Sequence, residues 1–144
     1  MELIMDSIEF AENRPLNGYS VGGELYFDVG DGFFPAKHWY DCAFLDLKTW
    51  LPQLISLGSN HTDSCVLSFA DGPYIVRLNR REDGSLCASF FRDHKLISRQ
   101  SVDLRILLKS VLSCCRRYER FLYENGKNNR FQEEIKTIMK LLDT

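Results

Sequence analysis

Between residues 65 and 102 the chain offers four strand-like runs joined by connections that leave the backbone almost no choice. Residues 65–70 and 74–79 flank Asp71-Gly72-Pro73, a turn signal. The loop over 80–85, containing Asp83-Gly84, leads into 85–92, and Asp93-His94 joins that run to 95–102. Parallel neighbours need a crossover of about a dozen residues or more. Connections this short therefore dictate an antiparallel meander, and the rest of the chain must supply what covers it.

Upstream, the same period of two recurs less cleanly. Ile4, Ile8 and Phe10 fit a first strand running to about residue 11. Asn13-Arg14-Pro15 and Asn17-Gly18 break it. Over 24–29, Leu25, Phe27 and Val29 alternate with Glu24, Tyr26 and Asp28, one face apolar and one largely acidic. Gly30-Asp31-Gly32 is a tight connection, and residues 39–45 read as a third strand with Trp39, Asp41, Ala43 and Leu45 on one side. A helix is expected over 47–57, with Asp46 as N-cap and Gly58 after its end. Pro52 fits poorly in that frame, and a start at Thr49 would put it in the first turn.

The last third is helical. Leu104, Leu108, Val111, Cys115, Tyr118 and Leu122 form one stripe, capped by Ser101, with Asp103 at the positive end of the dipole and Gly126 at the close. A further helix covers 130–142. These readings give an α+β fold: a mainly antiparallel sheet of about six strands with helices packed on one face, and a single domain over residues 1–144.

A hydrophobic fraction of 44% supports a packed core and argues against disorder. No apolar run is long enough to span a membrane, and the acidic start at Glu2 and Asp6 does not resemble a secretory signal. Five cysteines cannot all pair within one chain. Cys42, Cys65 and Cys87 sit in apolar runs, where a free thiol behaves as a small hydrophobe. The expected home is the cytoplasm.

Chemistry-bearing patterns are sparse. His38, His61 and His94 lack paired metal-ligand spacing, so no metal site is expected. There is no G-x-S-x-G, and Gly18, Gly22 and Gly23 precede a strand rather than a helix, so neither a catalytic nucleophile nor a phosphate cradle is indicated. No catalytic residue and no cofactor are assigned, and the chain is read as a non-enzyme. Among the clustered acids Asp28, Asp31, Asp41 and Asp46, the parity of Asp41 makes it a buried carboxylate that must accept hydrogen bonds.

Charge is unevenly spread. Residues 1–72 carry eleven acids and three bases, a net of −8, whereas residues 73–144 carry nine acids and fifteen bases, a net of +6. Such a field steers partners without specifying a fold. On the basic side, Arg105, Lys109, Arg116 and Arg120 flank the long helix, but a pI of about 5.9 argues against nucleic acid as a partner. On the acidic side, the segment from Gly32 to Asp41 is rich in aromatics. Trp39 belongs with the core, while Phe33, Phe34 and Tyr40 stand between core and surface.

The pieces Gly23-Glu24-Leu25-Tyr26-Phe27, Phe34-Pro35 with Trp39-Tyr40-Asp41, the helix after Asp46, and Phe69-Ala70-Asp71-Gly72-Pro73-Tyr74 resemble small bacterial immunity proteins of polymorphic and contact-dependent toxin systems. The resemblance implies a protein-binding module that neutralises a cognate toxin domain by occluding its active or substrate site. It assigns no residues. The residues themselves point to a partner surface of Glu24, Asp28, Asp31, Phe33 and Tyr40, acids for steering and aromatics for anchoring. The alternative is a regulatory or adaptor domain that uses the basic helix to bind nucleic acid or an acidic protein.

Overall fold

The computed structural model describes residues 1–10 and 21–143; the breaker segment 13–18 lies outside them. The α+β class stands, with the antiparallel strands divided between two sheets. In the first, β3 (Val21–Asp28) is the axis. β1 (Glu2–Met5) and β2 (Glu9–Phe10) pair along one of its edges, and β4 (Phe33–Phe34) and β5 (Tyr40–Asp41) along the other. The second sheet is the meander β6 (Ser64–Ser68), β7 (Tyr74–Arg80), β8 (Leu86–Arg92) and β9 (Lys95–Val102), in that order. Three helices follow or separate these strands: α1 (Ala43–Gly58), α2 (Leu104–Glu124) and α3 (Gln132–Leu142).

Three sequence expectations need correction. The strand over 39–45 is only Tyr40–Asp41, because the helical spacing of Ala43, Leu47, Trp50, Leu54 and Leu57 reaches back to Ala43 and wins over a short alternation. Asp46 is accordingly inside the first turns of α1 and is not its cap, and Pro52 lies within the helix. The cap of α2 is Asp103, whose side chain accepts from the amides of Arg105 and Ile106 at 2.9 and 3.2 Å, since β9 continues through Val102 and holds Ser101 in the strand.

Helices α1 and α2 each seal an open strand edge with side chains. Along α1, Asp46 accepts from the Ala70 amide (2.8 Å), Trp50 Nε1 donates to the Ser68 carbonyl (2.8 Å), and the Gln53 amide both accepts from and donates to Val66 (2.9 Å each). Residues spaced by four and three on a helix thus meet alternate residues on β6 and just beyond its end. Along α2, Ser110 accepts from the Leu3 amide (2.8 Å), Cys114 Sγ donates to the Leu3 carbonyl (3.4 Å), and Arg117 donates to the Met5 and Asp6 carbonyls. Both edges are thereby closed to further pairing.

Between the sheets, Trp50 stacks on Phe27 (5.6 Å) and meets Phe69 edge-on (5.0 Å), while Phe34 packs on Phe69, Tyr74 and Phe90. Leu47, Leu51, Leu54 and Leu57 are fully enclosed, each contributing about 2 kcal/mol of burial. Phe131 closes the helical side against Phe44 and Tyr118. The outer face of the first sheet, on which no helix packs among the described residues, holds Glu24, Tyr26 and Asp28.

Candidate functional site

Two interruptions of the ladder build this face. Met5 faces Leu25, yet Glu9 faces Gly22, so the pairing slips by one residue across Asp6–Ile8. Phe34 faces Phe27, yet Tyr40 faces Glu24, a slip of three across the loop that ends at Trp39. The first slip is possible because position 23 has no side chain: a Cβ there would lie 2.1 Å from the Ser7 carbonyl oxygen. The bulge is tied down by Asp6 N–H donating to the Glu24 carbonyl (3.0 Å) and Glu24 N–H donating to Ser7 Oγ (3.0 Å). On the other side, Leu25 N–H donates to the Trp39 carbonyl (2.8 Å).

With β3 fixed, alternation sends Val21, Leu25 and Phe27 inward and leaves Glu24, Tyr26 and Asp28 on the outer face. Tyr40 pairs opposite Glu24 and Phe33 opposite Asp28. The structure therefore gathers Glu24, Asp28, Phe33 and Tyr40 on one face, with Phe33 39% and Tyr40 45% exposed. Asp31 stands apart, exposed on the turn between β3 and β4. Phe34 is core. Lys37 Nζ lies 5.5 Å from the centre of the Phe33 ring.

Three members of this face escape a reading of the sequence. Tyr26, only 2% exposed, lies beneath Phe33 and His38 in edge contacts of 5.6 and 6.0 Å, and its hydroxyl donates to Asp6 Oδ2. Burial first, and then the Asp6 carboxylate, push its phenol up to about 12. His38, in the left-handed region at φ +62°, places Nδ1 3.1 Å from Glu24 Oε2 and 3.3 Å from Asp6 Oδ2. Only the parity of Tyr26 was visible in advance. Asp6 and His38 reach Glu24 through the two slips, which no sequence spacing announces.

The basic pole sits next to the acidic one. Lys109, Arg116, Arg117 and Arg120 of α2, with Leu112 and Ser113, line an open groove of about 550 Å³. Arg117 forms the boundary, and its guanidinium binds the carbonyls of Met5 and Asp6 rather than a carboxylate. Among the described residues no lysine or arginine pairs with Glu24, Asp28 or Asp31. The acidic field of the face is therefore not cancelled by the late arginines.

Beneath the face lie two carboxyls with contrasting roles. Asp41, fully buried, accepts from Trp39 Nε1 (2.9 Å) and from the amides of Cys42 (2.8 Å) and Asp71 (3.2 Å). It ties β5 to the β6–β7 turn, as its parity demanded. Asp46 accepts from the Ala70 amide, and burial, followed by its hydrogen-bonding proximity to Asp41 and the charge there, pushes its carboxyl up to about 10. Asp46 therefore holds a proton at neutral pH. None of the five cysteines forms a disulfide among the described residues. Burial pushes the thiols of Cys65 and Cys114 up to about 12 and that of Cys115 higher still, which leaves them neutral and poorly nucleophilic.

No helix among the described residues is long and apolar enough to cross a membrane. The chain matches no family model, no curated protein and no solved structure.

Proposed function

We propose that this chain is a protein-binding module of the immunity type, and that the outer face of its first sheet docks on a basic surface of a cognate toxin domain. The observation that carries this reading is the register that sets Tyr40 beside Glu24 and Phe33 beside Asp28, exposed aromatics alternating with carboxylates that no lysine or arginine among the described residues pairs with. A domain that acts on nucleic acid presents a cationic cleft, because phosphate contacts dominate such binding. Carboxylates in place of phosphates steer the encounter, and the two exposed rings anchor it. Five cysteines outside any disulfide suit a cytoplasmic, reducing setting.

The test is neutralisation. Co-expression with the product of the open reading frame immediately upstream should restore growth and yield a one-to-one complex. Asp28→Lys with Asp31→Lys should slow association about tenfold or more and flatten its salt dependence. No complex, or association unchanged by the reversal, overturns the proposal.

The groove along Lys109, Arg116, Arg117 and Arg120 favours a second reading, an adaptor that binds nucleic acid or an acidic protein. That reading requires a mobility shift of duplex or single strand that weakens steeply with salt.

A further inference from the structure

We propose that Asp6, Glu24 and His38 form a binding site for a zinc-class divalent cation on the outer face of the first sheet. The three donors come from three separate segments: Asp6 from the bulge after β1, Glu24 from the middle of β3, and His38 from the loop before β5. Their ligating atoms all lie within 4.8 Å of one another. A tetrahedral ion with bonds of about 2.1 Å needs donors roughly 3.4 Å apart, and an octahedral one about 3.0 Å. Nδ1 of His38 stands 3.1 Å from Glu24 Oε2 and 3.3 Å from Asp6 Oδ2, within that range before any adjustment.

The surroundings treat these groups as ligands are treated. Tyr26, almost wholly enclosed, aims its hydroxyl at Asp6 Oδ2, and such a buried donor fixes the orientation of a ligating carboxylate. The bulge that presents Asp6 is pinned to both the amide and the carbonyl of Glu24. Donor chemistry selects the ion. One imidazole with two carboxylates suits zinc or its first-row neighbours. Calcium wants six to eight oxygens, and magnesium keeps its water and avoids nitrogen. Binding requires His38 neutral, with Nδ1 bare and the proton on Nε2. At 56% exposure the imidazole leaves solvent access to the ion, so a water molecule completes the shell. Arg117, the cation beside the bulge, donates to the backbone carbonyls of Met5 and Asp6.

This inference shares Glu24 with the partner reading but does not rest on it, and its test uses different substitutions and a different ligand. Titration of the full chain with ZnCl2 by calorimetry should show one ion per chain, with a rise in Tm that MgCl2 does not reproduce. His38→Asn keeps a residue that tolerates the left-handed backbone, and Glu24→Gln keeps the shape of the strand. Each should weaken zinc binding at least about tenfold, and Tyr26→Phe by about tenfold through loss of the orienting bond. Substitution of Co2+ for Zn2+ should give a spectrum without a thiolate charge-transfer band. Absence of stoichiometric zinc uptake, unchanged affinity in both ligand variants, or a thiolate band that places the ion on a cysteine would each overturn the site.

Discussion

The two sheets solve the same problem in opposite ways. In the meander, β7 and β8 stay in register from Tyr74 opposite Arg92 to Arg80 opposite Leu86, and the one slip along β9 falls beside Phe90 and Phe91. In the first sheet, the pairing on each side of β3 is broken midway. Regular pairing presents a repeating surface. Broken pairing brings chain segments that were never neighbours, Asp6 and His38, against Glu24. The lesson is that the irregular sheet collects polar groups because it is irregular, and that its integrity rests on the few positions that permit the breaks.

The sharpest way to break that distinction is to place one methyl group in each sheet. Gly23→Ala drives a Cβ to 2.1 Å from the Ser7 carbonyl oxygen and 3.2 Å from Ile8 Cα, contacts with backbone that cannot swing aside. We expect a loss of about 4 kcal/mol, near the upper end for a single substitution. Gly84→Ala, in the β7–β8 turn, meets nothing within 4 Å and suffers only from its φ of +86°, a cost of about 1 kcal/mol. Chemical denaturation of both variants decides the matter. Equal losses would mean that the bulge has room to relax and that the first sheet is no more constrained than the meander.

This difference also explains what the sequence could and could not reveal. The meander announced itself, because period two, Gly-Pro and Asp-Gly turns, and short connections all agree. So did the stripes of α2 and α3. The outer placement of Glu24, Tyr26 and Asp28 followed from parity alone. The start of α1 was hidden because Tyr40, Cys42 and Phe44 alternate as a strand would, while the helical spacing from Ala43 competes over the same residues. The convergence of Asp6, Glu24 and His38 depends on two register slips and a left-handed histidine, and those are properties of the assembled sheet. The edge seals were equally invisible. Asp46, Trp50 and Gln53 look like cap and stripe residues until β6 lies beside them.

A second expected effect concerns the junction where the two sheets meet. Asp46 holds a proton in the folded chain up to about pH 10, whereas its ordinary value is 3.8. Between those limits the folded state binds more protons than the unfolded one, so stability is complete below about pH 4 and declines as pH rises towards 10. The slope is at most about 1.4 kcal/mol per pH unit. Asp46→Asn keeps an acceptor for the Ala70 amide, offers Asp41 a donor and carries no titrating proton. Denaturation from pH 6 to pH 9 should show the wild-type decline and a flatter profile for the variant. An unchanged slope would show that Asp46 is ionised in the fold.

The smallest expected effect tests whether the meander's own outer surface is inert. Leu96 is 44% and Ile97 55% exposed on β9, which ends the sheet order, and Ile97 is skipped where the register slips. Charges at Lys95 and Arg99 and the slip itself discourage edge-to-edge pairing, so this strand is guarded by its own sequence where β1 and β6 are guarded by helices. Replacing Leu96 and Ile97 together by threonine keeps β propensity and removes little buried area. Stability should stay within about 0.5 kcal/mol of wild type, as for surface substitutions elsewhere, and the sedimentation coefficient should not change with protein concentration in either form. A loss above about 1 kcal/mol, or a wild-type association that the double substitution abolishes, would show that the regular sheet also carries an interface. The contrast between a regular sheet with an inert surface and a broken sheet that gathers polar groups would then fail.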